Sequence, residues 1–307
     1  MTTARLSRRS TLWLACSAWV PAWADTPTPS CPPASSPLSF PDADPRRDGR
    51  RQFPIALLRL ALQHADCSLE VHGVLDYGQR RAELELAHGR LDVTMVGRRD
   101  FPPTAGLVVP FPIRRGLLGL RLLLCHANRV GAFAGLRDIA SLKSLRLGYG
   151  VDWHDRPTME ALGFRMVTAN TYAGLFSMLE AGRSDYLSRG LNEVWTELHD
   201  SQQRREHIVV VPELALRYSL DDYFVVRPDA PDLAALIQRG LIRTLENGSY
   251  QQLFDAHFNS ALMLAGLAQR HILDIPDYPA DDVVRRAQQE LLQPPRPLPA
   301  RSAPRRN

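Results

Sequence analysis

Residues 86–98 read LAHGRLDVTMVGR, and residues 179–189 read LEAGRSDYLSR. Each copy closes a helix-like apolar pattern on a glycine (Gly89, Gly182), adds a basic residue and an aspartate (Asp92, Asp185), enters a short strand-like run and ends on an arginine (Arg98, Arg189). Glycine past the last periodic residue is a helix stop, because it alone takes the left-handed conformation without a Cβ penalty. The stretch reads as the helix, turn and strand of one α/β unit, written once in each half of the chain.

Outward from these copies the same alternation continues. FPIALLRLALQ (53–63) places Ile55, Leu58 and Leu62 at helical spacing, and SLEVHGV (68–74) alternates as a strand does. GLLGLRLLLCH (116–126) predicts a long strand leaving the first half, followed by the strand SLRLGYG, a short helix closed by Gly163, the strand RMVTA and the helix TYAGLFSMLEAG. HIVVVPE and DDYFVVRPD predict further strands. Strands alternating with helices imply α/β layers with mainly parallel sheets.

The net charge is +4, and its placement argues against a nucleic-acid partner. Arg5, Arg8 and Arg9 hold three positives, and the segment from Val284 onward holds six arginines against one glutamate, which leaves the intervening chain near −4. The first 24 residues have a basic start, an apolar stretch from Leu12 to Val20 and small residues at Ala22 and Ala24. They predict a signal peptide cleaved before Asp25 and hence a periplasmic protein; SRR at 7–9 hints at twin-arginine export. In an oxidising compartment Cys31 and Cys67 are the candidate disulfide, since Cys125 sits in a strand-like buried run; three buried free thiols are the alternative.

PDLAALIQRGLIRTLENGSYQQLFDAHF (231–258) is an amphipathic helix, a glycine break and a second helix ending in aromatics. LENGSYQQLFDAHF resembles the closing signature of the family 3 extracellular solute-binding proteins, the substrate-binding domains of transporters, and the two GRxD units, LRLGYGVDW and YFVVRPD fall in that family's order over about residues 36–260. The resemblance implies a two-lobed, hinged periplasmic-binding-protein fold, each lobe a mainly parallel sheet flanked by helices, with two crossover strands. Lobe 1 is expected from 36–123 plus 213–260 and lobe 2 from 124–212, with the hinge near Leu122–Cys125 and Val210–Glu213. A C-terminal extension (261–283) is expected to pack on a lobe, and the Pro/Arg-rich tail (284–307) to be disordered.

The resemblance also implies the function: binding of a small anionic solute, an amino acid or carboxylate, by a monomer without cofactor, for an inner-membrane permease or a sensor receptor. A guanidinium's planar fork matches a carboxylate, and Arg98 or Arg99 is the match to the family's carboxylate clamp, although the family's TxxxR pattern is missing. In lobe 2 the chain departs from the pattern, reading SRGLNE where amino-acid binders place an aspartate for the ligand's ammonium. Either Asn192 or Glu193 takes the amine, or the ligand has none and offers a second acidic group to Arg189. GYGVDWHD adds Tyr149, Asp152 and Trp153 as candidate cleft residues. Asp44 and Arg46 are rim candidates, and Tyr172 and Phe176 read as core. Enzyme signatures are absent from the sequence: no G-x-S-x-G, no H-E-x-x-H, no Walker loop and no zinc spacing. The enzyme alternative is a cyclohexadienyl dehydratase on the same fold, with Glu193 or Asp152 as general acid.

Overall fold

A computed structural model describes residues 31, 37–41, 51–74, 78–97, 101–202 and 207–292. The signal-peptide reading of residues 1–24 lies outside them, as do Asp44, Arg46, Arg98 and Arg99.

The first lobe is built from two small sheets. Strand β1 (Leu38–Pro41) pairs in parallel with β2 (Val71–Val74). Strands β3 (Val93–Val96) and β4 (Leu107–Val108) flank the antiparallel return strand β11 (Tyr223–Val226). Helices α1 (Gln52–His64), α2 (Gln79–Ala87), α7 (Pro231–Glu246) and α8 (Ser249–Ala265) belong to this lobe. Helices α1 and α7 touch where Gly240 faces Ala61; a Cβ on Gly240 would stand 1.9 Å from the Ala61 carbonyl oxygen, so no larger residue fits there. Cys31 and Cys67, 36 positions apart, form a disulfide that fastens the segment before β1 to the end of α1. Closing a loop of that size removes on the order of 3–4 kcal/mol of chain entropy from the unfolded state.

The second lobe holds a seven-stranded sheet. Its parallel core is β7 (Met166–Ala169), β6 (Leu147–Gly150) and β8 (Tyr186–Gly190), and β5 (Leu120–His126) runs antiparallel beside β8. On the far side of β5 lie β9 (Ile208–Val210) and β10 (Leu214–Arg217), and β12 (His271–Asp274) extends β10 in parallel. Helices α3 (Ile139–Lys143), α4 (Arg156–Ala161), α5 (Tyr172–Glu180) and α6 (Val194–Gln202) connect the strands. The alternation of β5 decides the layering: Leu120, Leu122 and Leu124 face the larger core, whereas Leu123 and Cys125 face a second core with Leu147, Tyr149 and Tyr186. Each fully buried leucine contributes roughly 1.5–3 kcal/mol.

The repeated stretch has a structural explanation. Gly89 and Gly182 both end their helices at positive φ, 69° and 64°. The aspartates then fasten each strand to its neighbour: Asp92 accepts from Ser39 N and Ser39 Oγ at 2.8 Å beside β1, and Asp185 accepts from Arg146 N at 2.8 Å just before β6. Arg146 and Arg129 also pair with Asp185, and although burial works the other way, these bonds hold its carboxyl below the usual range.

Two sequence expectations are corrected. The runs Leu122–Cys125 and Val210–Glu213 are not the hinge, because β5 and β9 lie within the seven-stranded sheet; the chain passes between lobes at 109–119 and 218–222. Residues 284–291 are not a disordered tail: helix α9 (Asp282–Leu291) is capped by Asp281 and buries Val284, Ala287 and Gln288.

The two passages are tied by one carboxyl group. Asp221 accepts from the backbone N–H of Arg114 (3.0 Å), Gly116 and Asp222 (2.7 Å), while the Arg114 guanidinium donates to Asp222 at 2.7 Å. Burial pushes the Asp221 carboxyl up to about 8, against the pull of the Gly116 N–H. A group raised in this way binds more protons folded than unfolded, so its contribution is complete below about pH 4 and is lost as pH rises towards 8.

Two outcomes follow. Asp92→Ala and Asp185→Ala should each cost about 1–3 kcal/mol in urea unfolding by leaving a strand-entry N–H without its acceptor; a loss under half a kcal/mol for both would refute the fastening role. Unfolding free energy should fall by up to ~1.4 kcal/mol per pH unit between about pH 4 and 8, and Asp221→Asn should flatten that slope; parallel slopes in both proteins would identify another titrating group.

Candidate functional site

Parallel strands β6, β7 and β8 end on one edge, where an α/β sheet presents its ligand-facing loops. The residues that follow β1, β2 and β3 in the chain (42–50, 75–77 and 98–100) lie outside the described residues. The described part of the candidate site is therefore the crest of lobe 2.

Arg189, at the end of β8, is engaged by residues of its own lobe. It is 2% exposed and meets two acids of its own lobe: Glu197 by a two-pronged contact (2.7 and 2.8 Å) and Glu193 at 2.9 Å. Its Nη2 also donates to the Tyr172 hydroxyl at 2.6 Å, and its guanidinium carbon lies 4.7 Å from the Trp153 ring centre and 5.0 Å from that of Tyr172. Tyr172 thus serves as a partner of Arg189 as well as a packing residue. A guanidinium with two carboxylates and two aromatic rings is neutralised inside the protein.

Glu193 joins both faces of the sheet. Its Oε1 accepts from Gly190 N at 3.0 Å and from Arg121 at 3.2 Å while pairing with Arg189. Arg121 in turn donates to the Tyr218 hydroxyl at 2.9 Å. Burial works against the charged form of Arg121, but Tyr218 and Glu193 hold it above its ordinary value. As a shared acceptor of two guanidinium groups, Glu193 supports the crest.

The remaining predicted residues divide. Tyr149 is buried on β6 with its ring edge-on to Trp153 at 4.6 Å, so it supports the partly exposed Trp153 from behind. Trp153 lies against Gly150, where a Cβ would come within 2.5 Å of its Nε1. Burial, and then the nearby Asp155, raises the Tyr149 hydroxyl well above its ordinary pKa. Asp152 is exposed in the turn, away from these contacts. Asn192 is partly buried, and its Oδ1 is among the buried polar atoms with no hydrogen-bond partner, together with Tyr149 Oη, Asp155 Oδ2 and Ser188 Oγ. Among the described residues no cluster of His, Cys, Asp or Glu could hold a metal ion.

The lobes touch at this edge. His154 Nε2 in the loop after β6 lies 2.5 Å from Glu83 Oε1 on α2, and Trp195 Nε1 on α6 donates to the Ala261 carbonyl on α8 at 3.1 Å. Sequence reasoning missed Glu83, Arg121, Asp155, Glu197 and Tyr218. The pairing of Arg189 with Glu193 and Glu197 runs from a strand across a turn into α6, where no sequence spacing rule marks it.

No family model matches the chain, and no curated protein matches it. Solved structures do. The GluR0 ligand-binding core from Nostoc punctiforme, in complex with L-glutamate, is 12% identical and covers 73% of this chain and 100% of its own, with a TM-score of 0.53. A histidine kinase sensor domain with similarity to periplasmic binding proteins is 16% identical, covering 73% and 96%, with a TM-score of 0.52. An ancestral arginine-binding protein bound to arginine is 13% identical, covering 67% and 87%, with a TM-score of 0.52. At these identities the likeness assigns the fold: α/β, two-lobed, of the periplasmic-binding-protein kind.

Arg189→Ala should lower stability by about 3–5 kcal/mol in chemical denaturation, since it leaves Glu193 and Glu197 buried without their counter-charge. Arg189→Lys should not restore it, because an ammonium cannot make the two-pronged contact and stack together. A stability change under ~1 kcal/mol, with solute affinity lost, would return Arg189 to the ligand.

Proposed function

We propose that the protein binds a small carboxylate solute, an amino acid or a close relative, between its lobes outside the cytoplasm, for uptake or sensing. The observation that carries this reading is the fold: two lobes joined by two passages, matching structures whose names include arginine and L-glutamate complexes. The anionic end of the ligand falls to Arg98 or Arg99, which follow β3 on the first-lobe side. The neutralised Arg189 leaves lobe 2 to offer shape and aromatic surface, which favours a single carboxylate over a dicarboxylate. No helix among the described residues is long and apolar enough to cross a membrane. A membrane permease or a receptor is the natural partner for such a binder, and the sensor-domain match supports the second as well as the first.

A thermal-shift screen of amino acids, hydroxy and keto acids, dicarboxylates and sugars tests this. Saturation at a hundred times Kd should stabilise by ~2.7 kcal/mol, with monocarboxylates as hits. Arg98→Ala or Arg99→Ala should then weaken binding tenfold to a hundredfold, the worth of one charge-assisted hydrogen bond. Tight binding of a neutral sugar with no response to any carboxylate would overturn the reading.

A further inference from the structure

Helix α9 lies on the hinge. Gln288, fully buried, spends both hydrogens of its side-chain amide on carbonyls of the two different passages: Gly116 O at 2.9 Å and Tyr218 O at 2.8 Å. The flanking contacts repeat the pattern. On the first passage Arg115 pairs with Glu290 at 2.5 Å; on the second, Arg285 Nε donates to Ser219 Oγ at 3.0 Å, and just beyond it the Tyr223 hydroxyl bonds Asp281. The helix sits directly on the backbone, because a Cβ on Gly116 would meet Gln288 Cγ at 2.5 Å and one on Gly119 would meet Gln288 Nε2 at 2.6 Å. Beneath it, Arg115 and Gly116 are consecutive residues at positive φ, 54° and 76°.

Hinge motion in a two-lobed protein is absorbed by φ/ψ changes in a few residues of the connecting segments. A rigid element bonded to both segments opposes any rotation that changes their separation. We propose that α9 is a brace across the hinge, which sets the angle between the lobes and must loosen from one passage before that angle can change. The inference concerns the hinge alone and holds whatever the ligand proves to be.

The test is an inter-lobe distance distribution from paired spin labels at Leu84→Cys on α2 and Glu160→Cys on α4, both exposed positions near the lobe contact. It is measured in the parent chain, in Gln288→Ala and in a chain ending at Ala280. Loss of two hydrogen bonds across the hinge should change the ratio of open to closed forms on the order of tenfold, seen as a broadened distribution. A label pair within lobe 2, Ala140→Cys with Glu160→Cys, should keep its distance in every variant. If the shortened chain does not fold, Gln288→Ala alone decides. Inter-lobe distributions that superimpose on the parent's, whatever the fall in melting temperature, would reduce α9 to a cover on the hinge and overturn the proposal.

Discussion

A chain that forms two lobes from interleaved segments must cross between them twice at nearly the same place, and that crossing leaves backbone N–H groups buried away from any sheet. In this protein the Asp221 carboxyl group answers the problem by collecting three of them, two on the other passage and one on its own. From that point β5 enters the second sheet along one passage and β11 re-enters the first lobe along the other. An unsatisfied buried N–H costs more than a typical hydrogen bond contributes, so the geometry of the crossing is fixed by the penalty for leaving it.

The fold was legible where local chemistry and tertiary structure agree. Helix-stop glycines, the apolar periods of α1 and α7 and the alternation of β5 show in the sequence because burial on one face imposes them. The hinge was not legible: it turns on Arg115, a non-glycine residue at positive φ, which no propensity marks, and the apolar run after it read as the crossing itself. Helix α9 was hidden by its arginines and the prolines beyond it, although Val284, Ala287, Gln288 and Leu291 share one helical face. The candidate site was half legible. The sequence placed arginines at strand ends, but whether a strand-end arginine meets solvent or a counter-charge depends on partners such as Tyr172, 17 residues away, that only the folded chain brings near.

The lobe-2 crest shows what such a pairing does. Two arginines on opposite faces of one sheet, sharing one carboxylate oxygen of Glu193, lock the orientation of the turn from Gly190 to Glu193 and of the Trp153 ring. Buried ion networks are poor sources of net stability but good sources of a single geometry when every member is paired. The crest is a rigid wall against which the first lobe can close, and its charges are spent on one another.

Strand β12 has a consequence of its own. It lies beside β10, whose edge would otherwise present a row of unpaired backbone groups, and it carries the partly or fully exposed His271, Ile272 and Asp274 outward, with Asp274 held by Arg217. An open strand edge is a template for another chain, and charged residues on a short terminal strand are the usual protection. Without the segment after α8 the edge of β10 would be open, a template for another strand.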